Sequence, residues 1–478
     1  MDRTAAVLAT LVLYMLALLA LGLIAERRTA DESDFLLGGR RLGPIVTAIS
    51  ASASSSSVWT LLGVSGYAYR AGFGALWLFP ACVGGFALNW YCVAERLRRG
   101  ASERNAMTLT ELLAGRSRGQ GFGPARVAAS VIVVVSLTAY VAAQFQGAGK
   151  SLEASFGMST SGAILTGSAV VIAYAALGGF WAASLTDTLQ GAMMAAVAVA
   201  LPIAALLAAG GPEAAYQRVV ELTAAGAFRA DGHDLLVVLA LLGIGLGYPG
   251  QPHVVNRFMA ARGAQELRRA RRISMGWAVI VYAGMIVLGL CGRVLHETPL
   301  ADSEQVFLVL SDELFGPILA GLTIAAVLAA IMSTADSQLL TAAAAISHDL
   351  GWRGRDARGT LLRSRLVVLV TSFVAIAVAG GADARIFDAV LFAWSAIGAA
   401  FGPLLLVTLW RGPVAPLPTL LAMASGFALS VVAYQLPATR GGVFERIVPS
   451  LVAGAIAYAG ARPRVTAPAR PPASSARP

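Results

Sequence analysis

Ser333, Thr334, Asp336 and Ser337 place oxygen-bearing side chains close together in an otherwise apolar stretch, Ala329-Ala330-Ile331-Met332-Ser333-Thr334-Ala335-Asp336-Ser337-Gln338. On a helix, positions three and four apart share a face, so Ser333, Asp336 and Ser337 align with Thr334 beside them. Hydroxyls and a carboxylate are the ligands a hard cation takes. The same groups also suit an interhelical hydrogen-bond cluster, although a carboxylate inside an apolar segment points more to the movement of ions or protons.

A second polar run lies far upstream, where six serines fall between Ser50 and Ser57. A hydroxyl in hydrocarbon costs free energy unless it is bonded. Serine also bonds its own backbone, which competes with the helical ladder and releases carbonyls. Two arrangements satisfy these demands: a helix opened at a binding site, or a small-residue face packed on a neighbouring helix. Asp187, in Ser184-Leu185-Thr186-Asp187-Thr188-Leu189-Gln190, reads either as a helix cap at a membrane boundary or as a partner of Asp336 in a cation or proton site. Trp59, Tyr67, Tyr140, Tyr248 and Trp394 are candidate aromatic walls of a cavity, with interfacial belts as the other use of such residues. Trp59, Tyr140 and Tyr248 lie deep enough in their segments to line a cavity, and Gln144 and Gln146 share the segment of Tyr140. His233, His253, His296 and His348 are scattered at loops and segment ends. Cys82, Cys92 and Cys291 show no metal-ligand spacing. With no nucleophile, base or metal cluster converging, the expectation is a protein that is not an enzyme.

The elements that must hold these groups are membrane helices. Of the 478 residues, 57% are hydrophobic and 13% charged, against about 25% charged in soluble domains. That composition predicts an all-α polytopic membrane protein. Apolar segments lie near 5–25, 43–67, 72–94, 125–147, 159–179, 186–209, 235–255, 274–294, 315–340, 366–380, 386–410, 413–434 and 447–460, about thirteen in all. The first is followed by Glu26-Arg27-Arg28 and reads as a retained helix rather than a cleaved signal.

The net charge of +10 comes almost entirely from arginine, Lys150 being the sole lysine. Arginines cluster in alternate loops: Arg27, Arg28, Arg40 and Arg41; Arg96, Arg98, Arg99, Arg104, Arg116, Arg118 and Arg126; Arg257, Arg262, Arg268, Arg269, Arg271 and Arg272; Arg353, Arg355, Arg358, Arg363 and Arg365. The intervening loops hold isolated ones such as Arg218, Arg229, Arg293 and Arg440. The excess therefore speaks to topology rather than to nucleic acid, with the N-terminus outside and the C-terminus cytoplasmic. The stretch 462–478 is rich in Pro, Ala and Ser and reads as a disordered cytoplasmic tail.

One further segment should break. Gly243, Gly245 and Gly247 precede Tyr248-Pro249-Gly250-Gln251-Pro252. Proline removes an amide donor and clashes with the preceding turn, and glycine adds freedom. A kinked helix without a ligand is the plainer outcome. The two interrupted segments are the second and seventh of the series, so each opens a run of five. Interrupted helices in matching positions of two halves mark the substrate and ion site of a secondary transporter. The corresponding organisation is a transporter domain over 1–461: an outer helix in 1–30, a first repeat in 43–210, a second in 234–411 and peripheral helices in 412–461.

Longer motifs carry a resemblance. Phe35-Leu36-Leu37-Gly38-Gly39-Arg40-Arg41-Leu42-Gly43-Pro44 is followed by Gly178-Gly179-Phe180 with Thr186-Asp187-Thr188. Then come Gly245-Leu246-Gly247-Tyr248-Pro249-Gly250-Gln251-Pro252-His253 with Arg257-Phe258-Met259-Ala260, Ala329-Ala330-Ile331-Met332-Ser333-Thr334, and Ala399-Ala400-Phe401-Gly402-Pro403. With these motifs in this order, from about 34 to 459, the chain resembles the sodium/solute symporter family and its proline carriers above all. The resemblance implies a leucine-transporter-type core of two inverted five-helix repeats in a bacterial inner membrane. It also implies sodium held by carbonyls of Ala53, Ser56 and Ala330 and hydroxyls of Ser333 and Thr334. A second cation site of some members maps to Asp187, Ser333, Asp336 and Ser337, and the solute positions of the proline carriers map to Ser57, Trp59, Tyr140, Tyr248 and Pro252. Two departures stand out: the proline carriers have Asp where this chain has Ser55, and Trp where it has Ile244. The expectation is sodium-coupled import of a small polar solute, proline or a related amino acid. The alternatives are a proton-coupled carrier using Asp187 and Asp336, or a solute-binding membrane sensor.

Overall fold

The computed structural model describes residues 3–26, 36–115, 123–177, 179–228, 234–296, 298–352, 354, 356–381 and 385–462. Of the arginines in the charge pattern, Arg27, Arg28, Arg116, Arg118, Arg229, Arg353 and Arg355 lie outside the described residues. So do Phe35, Gly178, His233 and the tail from 463 onward. Among the described residues the chain is helical throughout, with two isolated bridges, Leu42 to Ala261 and Val414 to Ala461, and no strand.

The first part of the chain comprises α1 (Arg3–Glu26), α2 (Pro44–Ser54), α3 (Val64–Ala71), α4 (Leu78–Ala87), α5 (Ala94–Glu103), α6 (Leu109–Ala114), α7 (Pro124–Phe156), α8 (Thr160–Leu177), α9 (Phe180–Ala208) and α10 (Pro212–Ala224). The second comprises α11 (Leu235–Gly243), α12 (Pro252–Ala260), α13 (Ala264–Leu295), α14 (Val306–Leu314), α15 (Pro317–Ala344), α16 (Ala357–Gly381) and α17 (Ile386–Trp410). Three helices close the chain: α18 (Pro416–Gln435), α19 (Val443–Arg446) and α20 (Val448–Ala459). Every apolar segment of the sequence has its helix. By length and composition, nine helices among the described residues are able to cross a membrane, or ten when the bent pair around Gln251 counts as one span. That total joins Trp59–Glu103 into one stretch, although Gly72 turns the chain inside it with φ +56°.

Burial sorts the helices into core and rim. The most apolar window of the helix carrying α15 is 83% buried and that of α17 is 78% buried, against 28% for α1 and 33% for α16 and α18. A helix apolar all round belongs at the centre of a bundle, and α15 sits there, packed on α7, α9, α1 and α16. Both interrupted segments lie inside this core: α2 packs on α9 and α13, and residues 244–250 pack on α17 and α4.

The second interruption depends on close backbone approach. A Cβ on Gly398 of α17 would lie 2.6 Å from Gly247 Cα, and one on Gly250 would lie 2.6 Å from Gly398 Cα. Both positions meet backbone, so a neighbour's rotamer change cannot make room. We expect Gly398→Ala to lower stability by about 1–3 kcal/mol, read as a fall in the thermal unfolding midpoint of the purified chain. Gly454→Ala, where the added carbon would sit 3.4 Å from Pro403 Cβ, is the tolerated control.

Candidate functional site

The first interruption follows from serine chemistry. Ser52 Oγ donates to the Ala48 carbonyl at 2.8 Å, Ser56 Oγ to the Ser52 carbonyl at 2.8 Å, and Ser55 Oγ to the same carbonyl at 2.9 Å. These bonds draw on carbonyls that a regular helix would use itself. α2 ends at Ser54, Ser57 takes the left-handed conformation with φ +55°, and a wide turn from Trp59 to Gly63 leads into α3. Side chains pair the amides released there: Val58 N–H donates to Gln144 Oε1 of α7 at 3.1 Å, and Trp59 N–H to Ser57 Oγ at 3.1 Å.

The second interruption is held in the same manner. The chain tightens into a 3-10 turn from Ile244 to Gly250, becomes extended at Gln251, and re-enters a helix at Pro252 after a bend of 47°. Trp394 Nε1 donates to the Ile244 carbonyl at 3.1 Å, Asn89 Nδ2 to the Tyr248 carbonyl at 3.1 Å, and Gln251 Nε2 to the Gly247 and Trp394 carbonyls at 3.1 and 3.0 Å. The broken-helix arrangement thus describes both segments.

The first break faces the central helix. Thr334 Oγ1 lies 3.4 Å from the Ala53 carbonyl, and Ser54 Oγ lies 3.2 Å from the Ser333 carbonyl and 3.1 Å from Ser337 Oγ. Ser333 Oγ turns to the Ala330 carbonyl at 3.3 Å. Of the expected sodium ligands, Ala53 and Thr334 therefore meet at the junction of α2 with α15, while Ala330 and Ser333 bond each other on α15. The Ser56 carbonyl is bonded within its own turn, by Thr60 Oγ1 and by Thr60 N–H at 3.1 Å.

Asp187 is not a cap. α9 begins at Phe180 with Gly179 before it, so Asp187 is well inside the helix and fully buried. Its Oδ2 accepts from Ser50 Oγ at 2.7 Å, Ser54 Oγ at 3.2 Å and Arg257 Nη2 at 3.0 Å. Arg257, counted from the sequence as a loop arginine, is 1% exposed. It also donates to Ser50 Oγ at 3.1 Å, to Ser337 Oγ and to the His253 carbonyl. Asp336 joins through Ser337 Oγ, 3.1 Å from its Oδ1. Asp187 Oδ1 and Asp336 Oδ2 are buried with no hydrogen-bond partner among the described residues.

The expected solute residues are all buried and connect through aromatic rings. Tyr140 Oη lies 3.3 Å from Ser57 Oγ, and the Tyr140 ring is 6.4 Å from Trp394 and 6.1 Å from His253. Trp394 packs edge-on against Tyr248 at 4.7 Å. Trp59 packs on Tyr282 at 6.4 Å and Phe387 at 5.6 Å, and Tyr282 Oη is 3.0 Å from Tyr248 Oη. Pro252 opens α12 and is buried. Sequence reasoning missed Tyr282 and Phe387, which look like ordinary helix aromatics, and assigned His253 to a segment end although it is fully buried.

Comparison with known proteins fits this geometry. The sodium:solute symporter family model matches residues 35–423. A sodium/proline symporter of Escherichia coli (strain K12) is 33% identical over 461 residues, covering 94% of this chain and 91% of its own length. A high-affinity proline transporter of Bacillus subtilis (strain 168) is 35% identical over 426 residues, covering 87% and 89%. Among solved structures, a substrate-bound, outward-open Na+-coupled sialic acid symporter superposes with a TM-score of 0.78 at 16% identity, over 95% of this chain and 97% of that one. A nucleobase-cation-symport-1 family transporter in a closed conformation gives 0.59 at 14% identity, over 90% and 95%. These likenesses establish a shared fold.

The buried ion pair generates a stability prediction. Arg257→Met should cost about 3–5 kcal/mol, because it leaves Asp187 buried without its cation. Adding Asp187→Asn should recover part of that loss, and the thermal unfolding midpoints of the parent chain and the two variants check it.

Proposed function

Because the chain belongs to the sodium:solute symporter family, we propose that it imports a small polar organic solute, proline or a related amino acid, driven by sodium. The observation that carries this reading is the contact of Thr334 Oγ1 with the Ala53 carbonyl at 3.4 Å. It joins the end of an interrupted helix to the hydroxyl face of α15, where hard oxygen ligands for an alkali cation converge. Sodium there is held by the Ala53, Ser56 and Ala330 carbonyls and the Ser333 and Thr334 hydroxyls, once the Ser56 carbonyl is released from Thr60. The solute lies among Ser57, Trp59, Tyr140, Tyr248 and Pro252.

Coupling follows from shared structure. Ser57 and Trp59 continue directly from the segment whose Ala53 carbonyl binds the ion, so ordering that segment for sodium also orders it for solute. Thermodynamic reciprocity then requires sodium to raise solute affinity as much as solute raises sodium affinity. At Asp187, Asp336 and Ser337 the guanidinium of Arg257 is one fixed cation facing two carboxylates. Charge balance in a low-dielectric core calls for a second cation or a shared proton there. The arginine pattern supports an N-terminus outside and a C-terminus in the cytoplasm of a bacterial inner membrane.

Uptake of labelled L-proline and related amino acids into proteoliposomes, with and without an inward sodium gradient, tests the proposal. Sodium-dependent accumulation is the expected result; uptake that follows a pH gradient and ignores sodium overturns it. Ser333→Ala and Thr334→Ala should each raise the sodium concentration for half-maximal uptake by about 10- to 100-fold.

A further inference from the structure

Tyr282 of α13 belongs to neither interrupted segment, yet its hydroxyl meets both. Its Oη lies 3.0 Å from Tyr248 Oη at the second break. Toward the first break, the hydroxyls of Ser56 and Thr60 come within hydrogen-bonding range of the same Oη, and the Tyr282 ring stands edge-on to Trp59 at 6.4 Å. The residue is fully buried, on a helix that packs on both α2 and α3. Thr60 is also the residue that closes the Ser56 carbonyl, through its Oγ1 and, at 3.1 Å, its N–H. A carbonyl oxygen has two lone pairs, and Thr60 takes both. Sodium can therefore reach this oxygen only by displacing one donor, and the hydroxyl is the one that can turn.

The rings themselves are fixed. Tyr282 lies between Trp59 at 6.4 Å and Phe86 at 6.2 Å, and Tyr248 between Phe86 at 5.3 Å and Trp394 at 4.7 Å. A Cβ on Gly85 would run into the Tyr248 ring. What is free to change is the direction of the hydroxyl protons. A phenol has one proton to donate and lone pairs to accept, so the Tyr248–Tyr282 bond has two states, with either oxygen as donor. A hydroxyl released in a dry core must find another acceptor, and for Thr60 that acceptor is Tyr282 Oη. Tyr282 then donates to Tyr248 Oη, which leaves the Tyr248 proton for an acceptor atom of the solute. We propose that Tyr282 is a positioning residue that couples the sodium site to the solute site by setting the direction of the row Thr60, Tyr282, Tyr248. This inference rests on the transport reading above and adds to it a second link, carried by a helix outside both breaks.

The test is equilibrium binding of labelled L-proline to the full chain in nanodiscs, without sodium and at saturating sodium. The parent chain should bind about tenfold tighter or more with sodium. Tyr282→Phe keeps the ring and removes only the hydroxyl, and should cut that ratio to about threefold or less. Thr60→Val, which has no proton to pass on, should do the same. The double variant should lose no more than either single one, because the two residues act in one row. Tyr434→Phe, a phenol stacked on Phe392 away from the site, should leave the ratio unchanged. A purely structural role reads differently: binding weakened by the same factor with and without sodium, with a lower thermal unfolding midpoint and an intact ratio, overturns the proposal. Additive losses in the double variant overturn it as well. Failure of the transport reading shows separately, as absence of sodium-stimulated L-proline binding by the parent chain, and takes this inference with it; an intact ratio in Tyr282→Phe beside a responsive parent overturns this inference alone.

Discussion

A peptide amide or carbonyl left unpaired inside a bilayer costs on the order of several kcal/mol, and this constraint shapes both interrupted helices. Neither is a loose region. Gln144 covers the amide of Val58 at the first break, and Trp394, Asn89 and Gln251 cover the carbonyls of Ile244, Tyr248 and Gly247 at the second. All of these side chains come from within the interrupted segments or from helices packed against them. A helix can open at this depth only because its surroundings supply what its own ladder has given up. The residues that do so are therefore as much a part of the site as any ion ligand.

Charge obeys a similar constraint. Asp187, Arg257 and Asp336 are each almost entirely removed from water. Such a group is tolerable only among opposite charges and hydrogen bonds, and removing one partner harms more than removing both. The serines of α2 serve two roles here: Ser50 and Ser54 bond Asp187, while Ser52, Ser55 and Ser56 disturb the helical ladder. A single short run thus connects the carboxylate cluster to the point where the helix opens.

How much of this was legible in the sequence depends on the signal each residue carried. The apolar segments were readable because membrane thickness imposes a minimum length on them, and the two breaks because serine clusters and Gly-Pro runs act on the backbone directly. The meeting of Ala53 with Thr334 came from the family motifs, and the structure places those two atoms in contact. Arg257 was misread because hydropathy ends the segment near 255, whereas α12 continues to Ala260 and carries the charge into the core. Asp187 stayed open between a cap and an ion partner because the helix start at Gly179–Phe180 was not recognised. Tyr282 and Phe387 carry no local mark at all; only the packing of α13 and α17 shows that they lie against Trp59 and Tyr248.

The contact between Gly247 and Gly398 has a mechanical consequence. Where two main chains touch without side chains between them, no rotamer change can absorb a small displacement, so the stretch from Ile244 to Gly250 and the middle of α17 are locked to each other. Any rocking of one part of the molecule against another must carry that pair as a single rigid piece, and the sliding surface has to run elsewhere, along contacts padded by flexible side chains.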